Sequence, residues 1–305
     1  MKQGTLSKDK LKELLFYLSF MGIAVAQFVV FYIIVNANSF ALAFTKYSTD
    51  EYGNQISSFV GFENFKNIYR EIFTLEMYSQ MWKNSFLFYA IGLVGGTVFS
   101  LAFSYYIYKQ HKFSVFFKIM LYLPHIVTTM VIAIIYREFS NRVLPEFIGD
   151  IFNTQVGAYT KNPFPYIIVF NFLMSFGSNM LVYTGTMAGI SDSVVEAAQI
   201  DGANAIREFF HVIMPAIYPT FALFIVTGML VIFNGQAGLF NFMSWEADLK
   251  YQTFGYYLYV QIFKSGIDVS KYPPLAAMGL ALTSFALPII FAFRYLINKI
   301  GPSVD

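Results

Sequence analysis

SDSVVEAAQIDGANAIREFFHVIMP, residues 191–215, is polar, acidic and punctuated by glycine in a chain that is otherwise largely apolar. Uncharged segments flank it, residues 162–190 before and 212–245 after. A charged stretch caught between two runs of that kind belongs at a membrane surface, where hydrocarbon gives way to water. Ser193 and Glu196 stand at the spacing of a capping box, which predicts a helix start at Ser193. Ala197, Ala198 and Gln199 continue that helix, and Asp201-Gly202 is expected to end it, because glycine enters the left-handed conformation at little cost. Asn204 is predicted to cap a second helix, residues 206–214, which leads into the next apolar run at Pro215. A two-turn helix of small residues is marginal alone in water and better suited to docking in a partner's groove. An ordinary capped loop is the plainer alternative.

Composition agrees with the membrane setting. Of 305 residues 57% are hydrophobic and 12% charged, about half the charged fraction of a soluble domain, and the mean hydropathy is +0.55. A net charge of +2 without a Lys/Arg-rich cluster argues against nucleic-acid binding. The absence of cysteine rules out a disulfide scaffold and a thiol nucleophile, and His111, His125 and His211 show no metal-binding spacing. No GxSxG or HExxH motif supplies an intramembrane enzyme.

Six uncharged runs, residues 14–35, 85–108, 119–136, 164–190, 215–233 and 274–293, approach the roughly 20 residues that cross a hydrocarbon core. The expected fold is therefore an all-α polytopic membrane protein, residues 1–305 forming one domain with six transmembrane helices. The third run is the shortest and contains Pro124 and His125, so it is expected to be kinked or partly water-lined. The basic N-terminus precedes an apolar run too long for a signal peptide and reads as a retained helix. An even number of spans places both termini on one side. Lys2, Lys8, Lys10 and Lys12, with Lys109, Lys112 and Lys118 after the second span, assign that side to the cytoplasm, together with residues 191–215. Trp82 and Trp245 would then lie in the outer aromatic belt.

Polar side chains in hydrocarbon need a partner or a watery path. Asn171, Ser175 and Ser178 fall on one helical face, near Asn179 and Tyr183, while Thr227 and Asn234 share another. Hydroxyls and amides suit a neutral polyol, and Phe176 is placed to stack on a sugar face. Helix packing is the alternative, with Gly92/Gly96 and Gly185/Gly189 as close-contact pairs. No charge lies in the middle of a span, which argues against an ion-coupled carrier or a charged filter.

Glu196-Ala197-Ala198, Asp201-Gly202-Ala203 and Ile213-Met214-Pro215 resemble the EAA loop of ABC importer permeases, with Met214 in place of the usual leucine. FVGFENF at residues 59–65, Leu123-Pro124 and the six-span layout are similar to the sugar-type permeases. The resemblance implies a type I importer permease in which Glu196, Ala197, Ala198, Asp201, Gly202, Ala203 and Pro215 form a coupling loop that docks on an ATPase. It implies a substrate path through His125, Asn171, Ser175, Ser178, Thr227 and Asn234. The expected cargo is a carbohydrate, an oligosaccharide, carried inward across a bacterial cell membrane by alternating access. Expected partners are a second, similar permease, two cytosolic ABC ATPase subunits and an extracellular solute-binding protein. No cofactor is expected on this chain. It has no Walker A motif and no Gly-Lys pair, so ATP and Mg would sit on separate ATPase chains and the permease itself would be non-catalytic. A permease for a non-sugar solute and an ATP-independent carrier or channel are the alternatives.

Overall fold

The computed structural model describes residues 8–49, 52, 55–152, 159–175, 177–266 and 268–302. Among these, five helices are long and apolar enough to cross a membrane: Phe16–Ala43, Glu76–Tyr108, Pro163–Met187, Ala205–Asn234 and Val269–Ile300. They correspond to expected spans one, two, four, five and six, each reaching beyond the apolar run that announced it except the fourth, which stops at Met187. Span three, expected over residues 119–136 to be kinked or partly water-lined, is bent. Ser114–Ile126 and Thr129–Ile151 meet at 104°. Val127 and Thr128 take up extended ψ angles of 145° and 135° there, just after Pro124, whose ring removes a backbone donor from the helix.

The chain divides into two compact units, Met1–Arg70 with Lys264–Ala281 and Glu71–Phe263 with Leu282–Asp305. In the first unit, the long helix Phe16–Ala43 is followed by an antiparallel hairpin, Thr45–Thr49 with Gln55–Phe59. That hairpin is a small addition to a fold that is otherwise helical among the described residues. It is held where the chain leaves the helix: Asn64 Nδ2 donates to the carbonyls of Ala43 (2.9 Å) and Thr45 (2.7 Å), and the Phe44 ring packs on Phe59, Phe62 and Phe65. The span itself presents bare apolar side chains, with Phe20 and Ile23 each 78% exposed, as suits a surface facing lipid or another protein rather than water.

The second unit has two apolar clusters. One gathers Phe88, Ile167, Phe170, Leu239, Phe242 and Tyr256. The other gathers Leu101, Tyr183, Met187, Val195, Ile213 and Ile217, and so brings the ends of spans two, four and five against the polar helix of residues 191–215. Spans two and four approach most closely at Gly95 and Gly96. A Cβ at Gly95 would strike Ser175 Oγ, and one at Gly96 would come within 2.9 Å of the Ser175 carbonyl oxygen. Of the four glycines in the expected pairs only Gly96 is such a contact: nothing lies within 4 Å of a Cβ at Gly92 or Gly185, and at Gly189 the nearest atom is the Thr186 carbonyl oxygen, 3.4 Å away in its own turn.

Candidate functional site

The polar stretch folds as helix, turn, helix. Its first helix is Asp192–Ile200, and its N-cap is Ser191 rather than Ser193. The predicted capping box is therefore absent: no side chain caps the helix, and Ser191 Oγ and Ser193 Oγ instead hydrogen bond to each other at 2.8 Å. Starting at Ser191 turns Val195 into the second apolar cluster and leaves Glu196 and Ala197 exposed, with Ala198 half-buried. Burying a side chain such as Val195 stabilises by about 1.5–3 kcal/mol and anchors the helix by that face.

The helix ends in a Schellman arrangement. Gly202, at φ +80°, donates to the Gln199 carbonyl, and Ala203 N–H donates to the Ala198 carbonyl, both at 3.0 Å. Asn204 then caps the next helix by accepting from Arg207 N–H at 2.9 Å. That helix runs through a wide turn at Phe209–Ile213 and past Pro215 into span five. Ala198, Asp201, Ala203, Arg207 and His211 line an open groove of about 270 Å³ on its outer side.

A cluster that the motif does not contain ties this element down. Glu208, with its side chain 3% exposed, lies 2.6 Å from Lys109 Nζ. The same Oε1 accepts from the Tyr105 hydroxyl at 3.0 Å, and Oε2 accepts from Gln199 Nε2 at 3.0 Å. Lys109 and Tyr105 belong to the end of span two, and Gln199 to the polar helix. A buried carboxylate is stable only when its lone pairs are taken up by charged or polar donors, and here two donors come from the end of span two and the third from the polar helix. The signal in the sequence was one acid set among Ala205, Ile206, Phe209 and Phe210, where an unpaired charge would be costly.

The expected substrate-path residues do not converge on one cavity. Ser175 lines a pocket of about 180 Å³ with Tyr89, Thr97 and Asn179, between spans two, four and five, although its hydroxyl donates to the Phe172 carbonyl at 2.7 Å. Thr227 lines a separate groove of about 520 Å³ with Tyr218, Arg294 and Asn298, and bonds back to the Leu223 carbonyl. Asn171 gives its amide to the carbonyls of Ile167 (2.8 Å) and Ala237 (2.9 Å). His125 Nε2 lies 3.0 Å from the Met174 carbonyl oxygen, and its Nδ1 is buried without a partner. Its ring fits there because Gly177 carries no Cβ to strike it. Ser178 and Asn234 are exposed, and Phe176 lies outside the described residues. Among the described residues no group of three or more His, Asp or Glu side chains is placed to hold a metal ion.

With this geometry in hand, similarity to other proteins is informative. The chain is 26% identical to the sn-glycerol-3-phosphate transport system permease protein UgpA of Salmonella typhi, over 85% of this chain and 87% of that protein. It is 25% identical to the galactooligosaccharides transport system permease protein GanP of Bacillus subtilis (strain 168), over 84% of this chain and 64% of GanP. Its fold matches a chain of the bacterial alginate ABC transporter solved in complex with an alginate pentasaccharide-bound periplasmic protein, with TM-score 0.75, 19% identity, and 96% and 97% of the two chains covered. Residues 110–303, well over half of the sequence and including the whole helix, turn, helix element, match the family described as binding-protein-dependent transport system inner membrane component, and the protein belongs to that family.

Proposed function

We propose that this chain is the non-catalytic transmembrane subunit of an ATP-driven importer that carries a carbohydrate, an oligosaccharide, into the cytoplasm. The observation that carries the reading is the helix Asp192–Ile200, which exposes Glu196 and Ala197 while its opposite side is anchored by Val195. An exposed helix with a rigid footing, beside a groove lined by Asp201 and Arg207, has the form of a docking element for a cytosolic ATPase. The loop of Glu196, Ala197, Ala198, Asp201, Gly202, Ala203 and Pro215 would make or brace that contact. ATP and Mg would be bound by two such ATPase subunits, and a second permease and an extracellular binding protein would complete the assembly. Both termini and the docking loop would face the cytoplasm, and both compact units would serve a single permease.

Alternating access then requires that nucleotide favour one arrangement of the spans and loaded binding protein another. Carbohydrate as cargo is supported by a relative that is named for galactooligosaccharides and by the alginate transporter's similar fold. Hydroxyl and amide groups in the pocket between spans two, four and five, Ser175, Asn179 and Thr97 among them, fit such a solute because they both donate and accept.

The test is affinity purification of the tagged chain from membranes of its own host, followed by a screen of galactooligosaccharides, alginate oligosaccharides and sn-glycerol-3-phosphate for stimulated ATP hydrolysis. Stimulation by a sugar oligomer supports the reading. Stimulation by glycerol phosphate alone overturns the choice of cargo, and solute uptake into liposomes by the purified chain without any ATPase overturns the mechanism.

A further inference from the structure

We propose that Glu208 is a positioning residue that locks the docking helix to the end of span two, so that the two move as one body when the ATPase pulls on the helix. The inference rests on Asp192–Ile200 being that docking helix. Backbone continuity joins the helix to spans four and five only, through the turn before Ser191 and the glycine turn at Gly202. Neither turn is helical, and a turn transmits displacement poorly. Span two is far away in sequence, Tyr105 standing 103 residues before Glu208, and it has no covalent route to the helix that avoids spans three and four.

Glu208 supplies the missing link. One carboxylate oxygen holds Lys109 and Tyr105 of span two, and the other holds Gln199 in the last turn of the docking helix. The carboxylate is nearly sealed from water, so its bonds are strong and directional. Parting them one at a time would leave a buried charge short of partners. The Tyr105 ring also packs on Phe209 in the turn that follows Glu208, and Val195 sits in the same apolar cluster as Leu101 of span two. Those apolar contacts allow sliding, whereas the carboxylate fixes the register.

The chain has no cysteine, so two spin labels are readily placed at exposed positions, Val194→Cys on the docking helix and Lys112→Cys beyond span two. Their distance is measured by pulsed electron paramagnetic resonance in the complex purified with its ATPase, in lipid nanodiscs, with and without ATP. With Glu208 intact the expected result is one narrow distance that ATP leaves unchanged. Glu208→Gln should broaden the distribution and make its mean depend on ATP. Gln199→Ala, which keeps the Lys109 pair and hence the buried charge compensated, should do the same, and this milder variant decides the matter if Glu208→Gln fails to assemble. The double exchange Lys109→Glu with Glu208→Lys should restore the narrow distance. A distribution in Glu208→Gln and Gln199→Ala that stays as narrow and as indifferent to ATP as in the parent overturns the lock. Failure of any ATPase to accompany the parent chain overturns the importer reading instead, and the nucleotide-free comparison of parent with Gln199→Ala still decides whether the lock exists.

Discussion

Two polar regions of the same compact unit are built on opposite plans. At the mouth of spans two and five, Glu208 collects Lys109, Tyr105 and Gln199, so side chains join segments remote in sequence. Within the spans, polar side chains mostly bond to backbone carbonyls: Ser175 to Phe172, Thr227 to Leu223, Asn171 to Ile167 and Ala237, His125 to Met174. The first arrangement makes a rigid joint. In the second, the hydroxyls of Ser175 and Thr227 are bonded to their own helices and lose nothing when the next helix moves, while Asn171 and His125 reach only single carbonyls, Ala237 and Met174, of neighbouring segments. A transporter needs both, a stiff place where force enters and an uncommitted interior through which solute passes.

Four substitutions probe that contrast, in descending order of expected effect. Glu208→Ala leaves Lys109, 20% exposed, beside an empty hole, and should lower unfolding stability by about 3–5 kcal/mol, read as a fall in the midpoint of denaturant-driven unfolding in detergent. Gly95→Val drives a side chain into Ser175 and Phe172. Overpacking of that kind costs about 1–3 kcal/mol, and the loss should appear in the same assay together with a shift in the near-ultraviolet signal of the aromatic rings nearby. Gly202→Val forces a β-branched residue to φ +80°, at a cost of about 1–2 kcal/mol, while nothing lies within 4 Å of the added Cβ. Its main consequence is expected in function, where ATP hydrolysis should continue but sugar uptake per ATP should drop. Unchanged coupling would mean that the turn bears no load. Asn234→Ala removes an exposed amide and should move stability by no more than about 0.5 kcal/mol while raising the sugar concentration needed for half-maximal uptake. A stability loss well beyond that bound, with uptake kinetics intact, would reassign the residue to helix packing and weaken the contrast between stiff joint and open interior.

Much of the helix, turn, helix element could be read one residue at a time. Gly202 ends its helix and Asn204 begins the next because those preferences are local, a left-handed backbone in one case and a side-chain acceptor for Arg207 N–H in the other. The start of the helix could not be read that way. Ser191 and Ser193 are equally good caps by chemistry, and the two hydroxyls bond to each other rather than to the helix. The spans were legible for a similar reason: the cost of an unpaired backbone group in hydrocarbon makes any apolar run of sufficient length a helix. Pro124 announced trouble in span three, but the size of the bend, 104°, is a property of how that helix packs.

The amino-acid sequence by itself therefore determined the membrane class, the approximate spans and the turn at Gly202, since each follows from hydropathy or from backbone preferences acting over a few residues. Only the tertiary structure decided which carboxylate matters most. Glu196 carries the motif yet is exposed, whereas Glu208 lies outside the matched motif and is the buried hub. The physical reason is that a charge near hydrocarbon takes its meaning from its partners, and the partners of Glu208 reach it from span two and from the docking helix, at distances along the chain that no local pattern encodes.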